Sequence, residues 1–496
     1  MSYSFDEFLT ALDANWYEDD SLLHRLLARL AATDGTPELR HFGALCAGDL
    51  RELAEQSARP ENRPALRAFD GYSRRVDEVI LPASTRRALQ IVEGRHRLGA
   101  LQGDPFVFTA QWYLCNQNGE AGVGCSLACT DGMVRALSRL GDKPIHAAAV
   151  REVRESTFER YTHGAQFVTE IQGGSDAAAN VVEARRDAGR WTLHGQKWFC
   201  SNINADYFLV TARPTDAPPR GEGVSLFLVP AWRDDARTTR NGYTIDRLKE
   251  KLGTCELATA EVTFAGAEAH PVGPLDRGLA NVVSIVLVTS RMACVGVAAS
   301  FLRRAERVAG AYAAFRQAFG RRLIEFPLVA GAVQELAAAR EQTLAALFEL
   351  VRMWRAAEDS GSETSTAALD FRYMLSLCKP VLTRLATDRL HDAILVLGGN
   401  GIEERFSPLP RLWRDAIVME TWEGPHNVLF TQALRDMRHY QVDPPAFVAR
   451  VCGEPRPDLS RELGAILSQS PAEATVAMAG FGPKLVRAFG ERALQG

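Results

Sequence analysis

At 496 residues the chain exceeds one small core and predicts two or three domains or a single large layered unit. An apolar fraction of 46%, a charged fraction of 24% and a net charge of -4 match an average soluble globular protein and give no global electrostatic reason to bind nucleic acid or an anionic membrane. The nine cysteines are scattered, only Cys125 and Cys129 lie close together, and no His/Cys set has zinc-site spacing, so reduced thiols and no metal are expected.

The opening M-S-Y-S-F-D-E-F-L carries acids where a signal peptide needs a basic segment and an apolar run, which predicts a cytoplasmic protein. As far as about residue 144 the pattern is helical. Apolar residues recur at three- and four-residue spacing over 5–12, 22–31 and 50–54, with breaks at 33–37 and 102–105. After about residue 148 the texture changes to short β-branched and aromatic runs: Q-F-V-T-E-I, T-L-H-G-Q-K-W-F-C-S, D-Y-F-L-V-T-A-R, V-S-L-F-L-V-P and A-T-A-E-V-T-F. These predict an antiparallel β block over roughly 152–272.

Helical periodicity returns near residue 279. The apolar stretch at 281–300 has Arg291 at its middle, which favours a buried helix over a membrane span. Val333, Leu336, Leu347, Val351 and Trp354 fall close to one helical face. The polar run 358–362 ends that helix before another, 366–397, which Pro380 is expected to kink. The tail from about residue 440 is Pro-rich, then weakly helical, with six Lys/Arg against six Asp/Glu over 441–496. The resulting α–β–α order disfavours a Rossmann domain. It divides the chain into 1–150, 151–273, 274–440 and a C-terminal extension, 441–496.

Five strings carry possible chemistry. T-E-I-Q-G-G-S-D (169–176) makes a tight turn able to approach a phosphate or a planar ring, though a plain hairpin turn explains such a string in most proteins. H-G-Q-K-W-F-C-S-N (194–202) offers aromatic rings and a hydroxyl, or simply a core strand. A-F-R-Q-A-F-G-R-R-L (314–323) brings arginine forks suited to pyrophosphate, or a solvated helix end. L-G-G-N-G-I-E-E (397–404) is a Gly-rich turn or a C-cap, and M-E-T-W-E-G-P-H-N (419–427) sets Glu423 between a Trp and a Gly.

Their order and spacing resemble the acyl-CoA dehydrogenase family of flavoproteins, over about residues 166–437. D-G-Y-S-R-R-V-D-E-V (70–79) and R-L-K-E-K-L-G-T with A-T-A-E-V (247–262) look like its AidB-type branch. The resemblance implies an α+β fold: an N-terminal helical domain, a central antiparallel β domain and a C-terminal four-helix bundle. It implies FAD between the β domain and the bundle, in a homodimer or homotetramer. Carried over by position, Val168, Thr169, Gly174 and Ser175 would contact the flavin, and Phe199 and Ser201 would flank it. Arg316 and Phe319 would reach the FAD of the adjacent subunit. Leu397, Gly398 and Gly399 would meet the dinucleotide, and Asn427 would make a polar flavin contact.

By the same resemblance Glu423 is the base that takes the acyl α-proton, and Arg291, Trp422 and Gly424 stand on the substrate side. The other position used as base in some branches is here Ser290, which cannot serve. A water-exposed glutamate, with a pKa of about 4.3, is a poor base, and desolvation raises it toward a useful range. The implied partners are a small-molecule acyl thioester and an electron acceptor, an electron-transfer flavoprotein or oxygen. Pro425 and His426 replace the usual Thr-Ser pair, and Val288 replaces a frequent acid, so the mode of CoA binding and the role of His426 stay open. The alternatives are a flavin oxidase on the same fold and an AidB-like protein with a nucleic-acid or stress-response role. The charge-balanced tail speaks against nucleic acid.

Overall fold

Alternating apolar residues in the middle of the sequence build strands, and three-to-four spacing on either side builds helices. In the computed structural model, which describes residues 3–100, 103–219 and 221–495, they assemble two units. Gln102, in the second predicted break, lies outside the described residues.

One unit comprises Leu50–Gln102 and Glu120–Ser290. Its first strands, β1 (Ala65–Phe69) and β2 (Arg75–Ile80), form an antiparallel hairpin within a stretch expected to be mostly helical. The Asp70 carboxylate accepts from the N–H groups of Tyr72 (2.8 Å) and Arg74 (3.0 Å), closing a local turn that outcompetes helix over D-G-Y-S.

The predicted β block is a seven-stranded sheet: β3 (Gly164–Phe167), β4 (Glu183–Asp187), β5 (Arg190–Ser201), β6 (Tyr207–Pro214), β7 (Ser225–Pro230), β8 (Tyr243–Leu248) and β9 (Thr259–Pro271). The order is β3-β6-β4-β5-β9-β7, with β8 on β9, and a further β6–β7 pairing closes the path on itself. Closure pairs β4, β5, β6, β7 and β9 on both sides, while β3 and β8 each keep a single strand partner. Most pairings are antiparallel, as expected, but β6 pairs parallel with both β3 and β4. Met133, Leu137, Leu209, Leu228, Val272 and Ile285 belong to the apolar core of this unit.

The other unit comprises Met1–Asp49, Gly103–Gly119 and Arg291–Gly496. Long helices dominate it: Leu287–Phe315 (from Arg291 on), Pro327–Asp359, Thr366–Leu397, Leu409–Thr421 and His426–His439. Phe8, Phe301, Tyr312, Leu336, Leu390 and Leu412 share its core. Pro380 lies inside Thr366–Leu397, which nevertheless runs unbroken for 32 residues. The tail is more ordered than its composition suggests. It forms helices Pro444–Cys452, Pro457–Ser468 and Pro471–Gln495, the last burying Phe481, Leu485 and Phe489.

Among the described residues one helical run, Leu275–Phe315, is long and apolar enough to cross a membrane (mean hydropathy 2.0), and 72% of its most apolar window is buried inside the protein.

Candidate active site

Helix Leu409–Thr421 stops where its C-cap, Trp422, turns extended (φ -69°, ψ 151°), and the chain reverses before helix His426–His439. Two successive residues make the reversal with left-handed backbone, Glu423 at φ 58° and Gly424 at φ 105°. For a glutamate this conformation costs about 1 kcal/mol or more, a strain that persists only where surrounding contacts impose it. Gly424 is required twice over, by its φ and because a Cβ there would stand 3.1 Å from Leu429 Cδ2.

The imposing contacts are cationic. Arg291 Nε donates to the Glu423 carbonyl (3.0 Å) while its Nη2 donates to Gln432 Oε1 (3.1 Å). Lys379 Nζ donates to the carbonyls of Glu420 and Gly424, both at 3.0 Å. Trp422 packs half-buried against the bundle core. Burial raises the Glu423 carboxyl above the ordinary glutamate range, and the charges of Arg291 and Lys379 pull it partly back. His426 Nε2 lies 3.4 Å from Glu420 Oε2, and burial lowers its pKa. His426 and Asn427 also line a cavity of about 730 Å³ with Pro380, Arg384, Phe430 and Val476. Ser290 is buried, its hydroxyl donating to the Val286 carbonyl at 3.2 Å.

In the same unit, Leu397 is buried at the end of its helix. Gly398 (φ 61°) and Gly399 follow with open space at both Cβ positions. Arg316 and Phe319 flank a two-residue hairpin, Gln317–Ala318 with Arg321–Arg322. The Phe319 ring is 96% exposed on a left-handed backbone (φ 51°), and the Arg316 guanidinium sits 5.1 Å from the Tyr3 ring centroid.

In the sheet unit, Val168 and Thr169 leave the end of β3, and the Gly173–Ser175 turn follows. A Cβ on Gly174 would stand 2.6 Å from Thr169 Oγ1, so any larger residue would force the Thr169 side chain to move. The turn is pinned from below by a buried ion pair. Lys197 Nζ donates to Glu170 Oε1 (2.8 Å), to the Val168 carbonyl (3.1 Å) and to Thr211 Oγ1 (3.0 Å), and the Trp198 N–H donates to the Thr169 carbonyl (3.0 Å). On β5 the pairing with β9 slips between Lys197 and Cys200. This bulge interrupts alternation, so that Lys197 and Cys200 are both buried while Phe199 turns outward, 48% exposed. Ser201 Oγ lies 3.1 Å from Thr259 Oγ1.

In the sheet unit an outward aromatic ring beside hydroxyls and a tight glycine turn have the chemistry to meet a planar ring; in the helical unit an open Gly-Gly backbone and an exposed Arg/Phe hairpin have the chemistry to meet a phosphate-bearing chain. Glu170 and Lys197 lie within the T-E-I-Q-G-G-S-D and H-G-Q-K-W-F-C-S-N strings without being singled out there, and Lys379 lies outside every string. The signal of Lys379 is a lone charge inside an apolar run, L-S-L-C-K-P-V-L, where a lysine is either exposed at a helix bend or buried for a reason.

Comparison with known proteins gives the family. Residues 276–437 match the acyl-CoA dehydrogenase C-terminal domain, 165–267 the acyl-CoA dehydrogenase middle domain, and 9–160 the N-terminal domain of the adaptive response protein AidB. The chain is 31% identical to acyl-CoA dehydrogenase family member 11 of Caenorhabditis elegans over 85% of its own length and 70% of the relative. It is 28% identical to the putative acyl-CoA dehydrogenase AidB of Escherichia coli over 87% of its length and 79% of that protein. Among solved structures, C. elegans ACDH-11 in complex with C11-CoA superposes with a TM-score of 0.84 at 26% identity, covering 97% of this chain and 87% of that one. The apo form of Bd2924 superposes with a TM-score of 0.89 at 27% identity, covering 97% of both chains. The chain belongs to the acyl-CoA dehydrogenase family, with an AidB-type N-terminal domain, and is an FAD-dependent oxidoreductase.

Proposed function

We propose that the protein dehydrogenates a saturated acyl-CoA thioester, with Glu423 as the base that removes the α-proton. The observation that carries this reading is the loop itself: a half-buried glutamate on strained backbone, its basicity raised by burial, with cations on its carbonyls rather than paired to its carboxylate. Trp422 excludes water on one side, and Gly424 lets the backbone approach a ligand. The Glu423 N–H is the donor proposed for the thioester carbonyl, where it would stabilise enolate-like charge as the proton leaves.

Val168, Thr169, Gly174, Ser175, Phe199, Ser201 and Asn427 would hold the flavin ring. Leu397, Gly398 and Gly399 would hold the dinucleotide, and Arg316 and Phe319 the FAD of a second subunit. Bound FAD supplies the acceptor for the β-hydride. The oligomer implied is a homodimer or homotetramer, in which exposed Phe319 (96%), Leu328 (90%) and Ile402 (74%) are candidates for burial against a second subunit.

The substrate reading draws on the relative solved with C11-CoA. Its test is an anaerobic titration of the yellow protein with acyl-CoA thioesters of four to sixteen carbons, followed by absorbance. Bleaching by chains near eleven carbons is expected, and reoxidation by an electron-transfer flavoprotein faster than by air would fix the acceptor. If no thioester bleaches the flavin, the substrate reading fails.

A further inference from the structure

We propose that Lys379 is a positioning residue for the Glu423 base, its ammonium bridging the loop carbonyls on either side of that glutamate. The inference rests on the reading of Glu423 as the base and adds a second residue to it.

Lys379 is fully buried in the middle of helix Thr366–Leu397. Apolar residues of similar volume would fill the same space without desolvating a charge, so a buried ammonium here needs a return. Both of its hydrogen bonds end on backbone carbonyls of one five-residue segment: Glu420, in the last turn of its helix where carbonyls lack intrahelical partners, and Gly424 beyond the reversal. Between those anchors lie the two consecutive left-handed residues. Arg291 holds the carbonyl in the middle. Three carbonyls of the loop thus rest on two buried cations from two different helices, which fixes the direction in which Glu423 projects.

The same ammonium favours the carboxylate form. The charges acting on Glu423 are Arg291 and Lys379; Cys294, Arg372 and Asp436 act on Arg291, Cys294 and Glu420 act on Lys379, and His426 and Arg384 lie beside Glu420. Removing the cation leaves burial less opposed, so Glu423 ionises at higher pH. Because the carboxylate is the active form, activity is lost as pH falls through that ionisation, and the loss begins at higher pH in the variant.

The test uses Lys379→Met (no charge, no donor), Lys379→Gln (donor without charge) and Lys379→Arg (both), with Glu423→Gln beside them. FAD content is read from absorbance, and kcat and KM for undecanoyl-CoA from pH 5 to 9. The expected result for Lys379→Met is normal FAD content, kcat about tenfold lower with KM little changed, and an acid limb moved up by about one pH unit. Lys379→Gln keeps part of kcat with the same shift, and Lys379→Arg returns the limb toward wild type. Variants that fold and keep the wild-type limb overturn the proposal, as does a set in which none folds, because Lys379 is then only a core element. Full turnover in Glu423→Gln would instead defeat the base assignment itself.

Discussion

Glu423 combines an ionisable side chain, a left-handed backbone and burial, and each has a separate consequence. Burial shifts its ionisation upward, so the acid limb of kcat/KM is expected above the ordinary glutamate range, with activity rising as pH increases through it. A limb near pH 4 in a pH–rate profile would place the working carboxylate in water. The neighbouring glycine is equally constrained. Gly424→Ala meets both a φ of 105° and a 3.1 Å approach to Leu429, so a loss of about 1–3 kcal/mol of stability is expected by denaturant titration, with kcat falling more than KM rises. The loop proposed to carry the base stands out in the sequence because W-E-G is a compact string at a fixed distance from other strings. Of the two cations that hold this loop, Arg291 is among the residues named from the sequence but Lys379 is not, because it lies 44 residues away on a different helix and joins the loop only through backbone carbonyls, which leave no trace in residue types.

Element boundaries followed periodicity where one face of a helix or strand is buried, as along β5, β9 and the long bundle helices. They failed where short polar side chains compete for the backbone, as in the β1–β2 hairpin, whose turn depends on one Asp70 carboxylate. The C-terminal extension reads as weakly helical because its apolar residues are diluted by Ala and Gly, yet Phe481 and Phe489 are fully buried. Phe481→Ala is therefore expected to cost about 3–5 kcal/mol, seen as a drop in Tm. The parallel partners of β6 were invisible to strand patterning, which carries no information on direction.

The sheet unit also contains a buried polar cluster. Glu93, in the Gln90–Arg95 turn of π-helix, accepts from Ser126 Oγ (2.7 Å) and Thr130 Oγ1 (3.2 Å), and Ser126 Oγ lies 2.9 Å from His163 Nδ1. Burial pushes the Glu93 carboxyl up to about 7. A carboxyl raised in the folded state binds its proton more tightly there than when unfolded, so stability declines as pH rises from the unfolded value through 7. Glu93→Gln is expected to lose that decline: its Tm relative to wild type should improve between pH 5.5 and 8.5. A pH-independent difference would show the carboxyl is already ionised.

At the scale of the molecule, the α–β–α order was legible because three stretches of distinct periodicity, helical, alternating and helical again, follow one another in the sequence. The two units, by contrast, each draw residues from the N-terminal stretch, an arrangement that depends on long-range packing. A bound dinucleotide stabilises the folded state by mass action, so added FAD at a hundred times its dissociation constant is expected to contribute about 2.7 kcal/mol and to raise Tm. Phe319→Asp is expected to lower both the FAD content and the mass found by light scattering, if the exposed hairpin serves a second subunit. The six-to-six charge balance of residues 441–496 predicts no steeply salt-dependent DNA binding in gel shifts.

The central claim, that Glu423 takes the α-proton, is tested most directly by rapid anaerobic mixing of wild type and Glu423→Gln with undecanoyl-CoA while flavin absorbance is followed. The amide keeps the size and the loop contacts of the glutamate but cannot accept the proton. The account predicts a variant that stays yellow with a normal FAD spectrum and whose flavin reduction slows by at least about a hundredfold. Reduction of Glu423→Gln at the wild-type rate would contradict it.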